Sequence, residues 1–299
     1  MSKFELTDED REHLDGCRVV ASISGGKDSA ALSLWLTEQG IDHDRVFADT
    51  GWEHPATYEY LRGPLTDKIG PIVEVKSKVG GMPEWVRKKG MFPTRLRRYC
   101  TEELKLRPIR DHLTSLDVDP VNTVGIRAGE SRARAQLPRW EEWLALDCDV
   151  WRPLIDWTEQ DVIDTHHRHD LAPNPLYLRG TERVGCWPCI FSRKREIRLV
   201  ADLTPERIDE VRQLEADVLQ AATKRYAAKG ETMESMGYHP PAFFHRQATA
   251  GNGGFVAIDD AVAWSRTAHG GRQLLMFDTE PAGCVRWGLC EAHHDDESS

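Results

Sequence analysis

The residues best suited to chemistry in this chain fall into three groups, and the first is Ser24-Gly25-Gly26-Lys27-Asp28-Ser29. Two adjacent glycines let the backbone turn with positive φ and come close to a ligand, and the amides that start a following helix point at an anion with the helix dipole behind them. Lys27 adds a point charge and Ser24 and Ser29 add hydroxyl donors, so the segment is equipped to cradle a phosphate group. It lacks the G-x-x-x-x-G-K-[ST] spacing of the Walker A loop, which disfavours a kinase or a GTPase. The second group is Gly185-Cys186-Trp187-Pro188-Cys189, which admits a thioredoxin-like dithiol, half of a zinc site or two ligands of an iron–sulfur cluster. The dithiol is the weakest of the three, because a thioredoxin motif belongs at the first strand-to-helix junction and this one follows a turn-rich stretch late in the chain. The third group is cationic. From Arg87 to Arg110 there are nine Lys/Arg against two Glu, in a chain whose net charge of −10 argues against a broad grip on nucleic acid. The run is either a local phosphate-binding face or a solvated helix surface.

A phosphate loop works only if a strand feeds it and a helix leaves it. Arg18–Ile23 reads as that strand and Asp28–Gln39 as that helix, and the alternation continues through Arg45–Ala48, Pro55–Asp67, Ile72–Val75, Glu102–Leu113 and Val121–Ile126. Short β-branched runs alternating with helical patterns imply βαβ units, hence an α/β fold with a parallel sheet of about five strands flanked by helices. After Trp151-Arg152-Pro153-Leu154 the pattern changes: Thr158 caps a helix, Pro173-Asn174-Pro175 turns the chain, and Thr204-Pro205-Glu206 starts a helix with Ile208, Val211, Leu214 and Val218 facing the core. The expected organisation is a nucleotide-binding α/β region over residues 1–155, a helical, cysteine-bearing region over 156–290 with a Gly-rich loop at Ala248–Gly254, and a disordered acidic tail over 291–299. His166, His167 and His169 fall on a polar helix and are expected at the surface, while Cys17 and Cys148 are expected to be small buried hydrophobes.

With 40% hydrophobic residues, a chain of 299 residues buries a substantial core. The charged start without an apolar segment, and the lack of any run of roughly 18 apolar residues, predict a cytoplasmic chain that does not enter a membrane. Seven cysteines, an odd number at irregular spacing, favour metal ligation or thiol chemistry over a disulfide framework.

Ser24–Ser29 resembles the SGGKDS signature of the PP-loop ATP pyrophosphatases, which cleave ATP between the α- and β-phosphates. Further segments are similar to the PAPS reductase-like branch of that superfamily. Asp49-Thr50-Gly51 followed by Pro55-Ala56-Thr57 resembles its D-T-G and Pro-Glu-Thr motif, with Ala56 in place of Glu. Cys100-Thr101, Leu104-Lys105 and Pro108 resemble C-T-x-x-L-K-x-x-P, and Gly125 to Arg134 resembles G-x-R-x-x-E-S-x-x-R. The resemblance runs from about residue 17 to 195.

It implies an adenine nucleotide alpha hydrolase-like (HUP) fold that binds ATP over Ser24, Gly25, Gly26, Lys27, Asp28 and Ser29. Asp49, at the carboxyl end of a strand, would bind Mg²⁺ or position the nucleotide. Lys105, Arg127 and Arg134 would neutralise phosphates beside Gly125, with a salt bridge to Glu130 as the alternative role for either arginine; Lys27, Asp28 and Arg127 are the expected catalytic residues. In the iron–sulfur members, cysteines at the positions of Cys100, Cys186 and Cys189 bind a 4Fe–4S cluster. The APS reductases have an adjacent Cys pair where this chain has Tyr99-Cys100, so the fourth thiolate is expected from Cys290, with Cys284 as the alternative. Gly283–Cys290 is also similar to the E-C-G-L-H segment of the assimilatory reductases, whose Cys attacks sulfur, but here the Cys follows Gly-Leu. The complete SGGKDS form is nearer the ATP-using members, which implies adenylation of a substrate that then accepts sulfur. DNA or tRNA is the acceptor to expect, and a cysteine desulfurase or thioredoxin the partner. Two other readings stay open: a thioredoxin-dependent PAPS or APS reductase, and a non-catalytic nucleotide- or redox-sensing regulator that binds DNA.

Overall fold

The computed structural model describes residues 3–233, 235, 240–246, 254–268 and 287. The chain opens with α1 (Asp8–Leu14), capped by the reciprocal pair of Thr7 and Asp10. β1 (Arg18–Ile23) runs through Ser24–Gly26 into α2 (Lys27–Glu38), and β2 (His43–Asp49) follows. The single helix expected over Pro55–Asp67 is α3 (Pro55–Tyr60), a wide π turn at Leu61–Leu65, and α4 (Thr66–Ile69). Pro64 has no N–H to donate, so the hydrogen-bond ladder widens around it. β3 (Val73–Lys76) and α5 (Met82–Lys89) come next. The helix expected over Glu102–Leu113 divides for the same reason into α6 (Tyr99–Thr101), a π turn at Glu102–Leu106, and α7 (Arg107–Leu113), which carries Pro108 in its first turn.

β4 (Pro120–Val124) is followed by β5 (Trp140–Trp143) and β6 (Cys148–Trp151), two short strands that the alternation of sequence patterns does not announce. Together β1–β6 form one sheet in the order β3-β2-β1-β4-β6-β5. Five strands are parallel, as the α/β reading expects, and β5 adds an antiparallel edge with Trp140 opposite Trp151. The strand order reverses between β1 and β4, which opens a crevice at their carboxyl ends. The chain continues with α8 (Glu159–Arg168), α9 (Pro175–Leu178), α10 (Lys194–Leu203), α11 (Pro205–Ala227), the ribbon β7 (Phe244–Arg246) with β8 (Gly254–Val256), and α12 (Ile258–Ser265).

Parallel strands covered on both faces must be apolar on both. One face of the sheet puts Val19, Ala21, Ile23 and Phe47 against Leu32, Leu36 and their neighbours on α2, and the other puts Val20, Val46 and Val150 with Ile109 and Leu113 of α7. A third cluster joins Trp52, Trp85, Phe92 and Leu104 to Ile197, Val211 and Leu214, so α10 and α11 pack on the loops that leave β2 and β3. Ile208, Val211, Leu214 and Val218 are buried, as their helical spacing predicts. Among the described residues no helix is long and apolar enough to cross a membrane.

Candidate functional site

The phosphate-loop segment lies at the crevice, between the end of β1 and the start of α2. Gly25 sits at φ +72°, and a Cβ there would stand 2.9 Å from Thr57 Cγ2, so both conformation and space require glycine. The turn is tied internally: the Ser24 amide donates to Ser29 Oγ (3.1 Å), Ser29 Oγ donates to the Gly26 carbonyl (3.0 Å), and the Gly26 amide donates to Ser24 Oγ (3.3 Å). Gly125, just past β4, closes against the same helix start. A Cβ on it would meet the Asp28 carbonyl oxygen at 2.6 Å.

Lys27 is only 6% exposed, and every polar part of it is engaged. Its amide donates to the Tyr177 hydroxyl (3.1 Å), and its carbonyl accepts from His166 Nε2 (2.9 Å). Its Nζ lies 3.2 Å from Glu159 Oε1, 3.7 Å from Asp28 Oδ2 and 4.8 Å from the centre of the Tyr177 ring. Arg127 is buried and its guanidinium pairs with the Asp28 carboxylate. Burial opposes the arginine's charge, but Asp28 more than offsets it and raises the Arg127 pKa. Arg134 pairs with Glu130, which also accepts from the Arg127 amide. These groups line a cavity of about 980 Å³ whose walls carry five cations, Lys27, Arg127, Arg134, Arg183 and Arg193, and five carboxylates, Asp28, Glu130, Asp156, Glu159 and Glu182.

Four supporting residues carry no local signal that marks them. His166, expected at the surface, is fully buried, because the apolar side of α8 packs on α2 and takes this ring inward; burial pushes its pKa below the ordinary histidine value. His167 and His169 do face outward, the first donating to the Trp287 carbonyl (2.9 Å) and the second pairing with Glu38. Tyr177 and Glu159 reach Lys27 from α9 and α8, and Asn174 donates to the Gly25 carbonyl (3.1 Å) and Thr57 Oγ1 (3.3 Å) while its own oxygen caps α9. The turn at Pro173-Asn174-Pro175 is the one hint that sequence offers.

Two expected phosphate-site residues lie elsewhere. Asp49 stands at the end of β2 but already accepts from Lys76 Nζ (2.8 Å), Tyr58 OH (2.6 Å) and the Gly51 amide (2.8 Å). Burial would raise its pKa, and these donors outweigh it and hold the carboxyl below its ordinary value. Lys105 lies with Cys186 and Cys189 on a separate cavity of about 110 Å³. The nearby Cys186 thiol raises the lysine's pKa against the effect of burial, with Glu53, Cys189 and Cys100 adding to it. Burial pushes the Cys186 thiol up to about 11 and raises that of Cys100. The Cys186–Cys189 segment is held firmly: the Trp187 amide donates to the Trp52 carbonyl (2.7 Å), Trp52 Nε1 to the Pro188 carbonyl (3.0 Å) and Trp187 Nε1 to Thr204 Oγ1 (2.7 Å).

Among the described residues no group of three His, Cys, Asp or Glu side chains is arranged to hold a single metal ion, while Cys100, Cys186 and Cys189 lie near enough to act on one another and on Lys105. Cys284 and Cys290, the expected sources of a fourth thiolate, lie outside the described residues, as does most of the Ala248–Gly254 loop and all of the acidic tail. Cys17 and Cys148 are only partly buried and pack against the two faces of the sheet core.

Much of the cationic run is engaged. Arg87 pairs with Asp217, and Lys89 and Arg107 with Glu103. The turn closed by Thr94 leaves Arg95, Arg97 and Arg98 exposed, with Arg95 and Arg98 at 5.6 and 5.2 Å from the centre of the Phe191 ring. Phe191 lines the cysteine cavity, and Arg183 and Val184 line both cavities, so the two share a wall.

Residues 18–192 match the family model described as phosphoadenosine phosphosulfate reductase domain. The chain is 32% identical to the "uncharacterized 37.8 kDa protein in gpa 5'region" of Escherichia phage 186, over 91% of this chain and 96% of that protein. It is 29% identical to the adenosine 5'-phosphosulfate reductase of Deinococcus radiodurans, over 51% of this chain and 58% of that enzyme, so it spans little more than half of that relative's length. Among solved structures, the phosphoadenylyl-sulfate reductase of Candida auris in its phosphate complex aligns with a TM-score of 0.46 at 20% identity, covering 61% of this chain and 97% of that one.

Proposed function

We propose, from the premise that this chain belongs to the phosphoadenosine phosphosulfate reductase domain family, that it is an ATP pyrophosphatase that adenylates an acceptor for sulfur transfer. The observation that carries this reading is the fully engaged Lys27 at the start of α2, set with Asp28 and Arg127 on a cavity whose five cations are matched by five carboxylates. Carboxylates repel a bare polyanion and suit one that arrives with a cation. Mg²⁺ is usually held by one or two carboxylates together with the substrate's own phosphates, and Asp28, Glu130 and Glu159 are the ones placed to serve. Bound there, the ion would neutralise the phosphate oxygens.

The chain's own groups do the rest by position and charge. The first amides of a helix have no intrahelical partner, and with the Lys27 amide given to Tyr177, those of Asp28 and Ser29 serve the phosphates. An acceptor oxygen attacks the α-phosphorus, the bond to the β-phosphate oxygen breaks, and pyrophosphate leaves against Lys27 and Arg127, the acceptor's proton passing to solvent. The exposed Arg95, Arg97 and Arg98 beside the cysteine cavity favour a nucleic-acid acceptor, DNA or tRNA, with a cysteine desulfurase or thioredoxin supplying the sulfur or electrons.

A second reading, a PAPS or APS reductase, is supported by the wall that the two cavities share, which would bring thiols beside a bound sulfonucleotide. Product analysis separates the two. Release of AMP and pyrophosphate from Mg–ATP in the presence of oligonucleotide supports adenylation, and sulfite released from PAPS or APS with thioredoxin and no ATP replaces it. ATP binding with DNA binding and no turnover leaves the regulator.

A further inference from the structure

Lys27 is held from outside its own helix by two rings, His166 of α8 on its carbonyl and Tyr177 of α9 on its amide and beneath its ammonium. A third ring, 120 residues from α8 in the chain, fills the space behind both. Trp287 is 2% exposed, its ring centre lies 5.1 Å from that of His166, edge-on at 77°, and 5.8 Å from that of Tyr177. It packs with Ile163 and with Val184, which lines both cavities, and its carbonyl accepts from His167 Nε2 at 2.9 Å. A rigid aromatic wedged behind two side chains restricts their rotamers, and restricting Tyr177 and His166 fixes the main chain of Lys27.

We infer that Trp287 is a positioning residue for the phosphate loop, and that seating of its indole between α8 and α9 is thermodynamically linked to nucleotide occupancy of the cavity. The linkage rests on the reading of that cavity as a nucleotide site. It is reciprocal: if a seated Trp287 tightens nucleotide binding by some factor, bound nucleotide favours the seated indole by the same factor. Trp287 thereby reports whether the loop is filled, from behind Tyr177 and His166.

Hydrogen–deuterium exchange with and without Mg–ATP, combined with ATP binding, tests this on the full chain. Trp287→Ala is expected to speed exchange over residues 24–29 and to weaken ATP binding about tenfold, the loss of roughly one well-placed hydrogen bond, with Trp287→Phe recovering most of it. In the wild type, ATP is expected to slow exchange in the peptide that contains Trp287. Should Trp287→Ala fail to fold, His167→Ala releases the Trp287 carbonyl from an exposed position and must move loop exchange and ATP affinity the same way. A lowered melting temperature with unchanged loop exchange and unchanged affinity would make Trp287 a core residue only and overturn the proposal. If the wild type binds no ATP, the nucleotide reading falls, while the positioning role still stands or falls on the exchange of residues 24–29.

Discussion

Gly125→Ala adds one methyl group where the end of β4 closes against the start of α2. Its Cβ would lie 2.6 Å from the Asp28 carbonyl oxygen, 2.7 Å from the Asp28 carbonyl carbon and 3.0 Å from the Ser29 amide nitrogen, all of them backbone atoms that no side-chain rotation can clear. Ordinary contact begins near 3.4 Å, so α2 or the end of β4 must give by about 0.8 Å at the residues proposed to hold the phosphate. A misplacement of about 1 Å can cost roughly 10²-fold in rate, and overpacking of this kind costs about 1–3 kcal/mol of stability. Gly129 lines the same cavity and is the matched control, because a Cβ there meets nothing within 4 Å and its φ is not in the left-handed region. Pyrophosphate release with saturating Mg–ATP, measured beside urea denaturation, is the assay. Gly125→Ala should lose about two orders of magnitude in kcat while remaining folded, and Gly129→Ala should stay within about twofold of wild type. A fully active Gly125→Ala, or equal damage from both, refutes the claim that the start of α2 is set by its contact with Gly125.

Asp10 is fully buried and accepts from Arg139, Trp140 Nε1 and Trp151 Nε1. Burial alone would raise its pKa, but the bonds from Arg139 and the Thr7 amide, the Arg139 charge and Trp140 outweigh it and lower the value to about 2. The stability this contributes, about 2 kcal/mol, is present above the ordinary carboxyl range and is lost as pH falls toward 2; urea melts from pH 6 to pH 2.5 check it, and a flat profile there contradicts it. Asp10→Ala takes the carboxylate from a partly buried guanidinium and from two indole N–H groups and should cost about 3 kcal/mol at neutral pH. Replacing Arg95, Arg97 and Arg98 by alanine together should lower the salt slope of single-stranded oligonucleotide binding by about 2, at about 0.7 per phosphate contact, with ATP affinity unchanged. Iron analysis after anaerobic purification sorts the cysteines: a cluster predicts iron that is lost in Cys186→Ser and kept in Cys148→Ser, and a colourless protein holding zinc excludes it.

What was legible in the sequence was what is local. The strand, glycine turn and helix start of Arg18–Glu38 emerge from adjacent residues, and the four strands read from β-branched runs are present as β1–β4. The strands β5 and β6 escaped because Trp-Glu-Glu-Trp and Cys-Asp-Val-Trp are four residues each, and their register depends on pairing with each other and with β4. At the site, Lys27, Asp28, Gly125, Arg127 and Arg134 share one cavity, as their motifs suggest. Tyr177, His166 and Asn174 were invisible because they act on residues 139 to 150 positions away, a distance over which periodicity and spacing say nothing. The position of Lys105, on the neighbouring cavity, was illegible for a related reason. The π turn at Glu102–Leu106 decides which way its helix faces, and only Pro108 hints at it.

The central claim is that the cavity at Ser24–Ser29 takes ATP, and anaerobic competition between Mg–ATP and PAPS for the purified protein tests it most directly. Displacement of bound PAPS by ATP at lower concentration than the reverse is the expected result, with Lys27→Ala abolishing the ATP signal. Preferential binding of PAPS, insensitive to Mg²⁺, would contradict the claim and make the cavity a sulfonucleotide site.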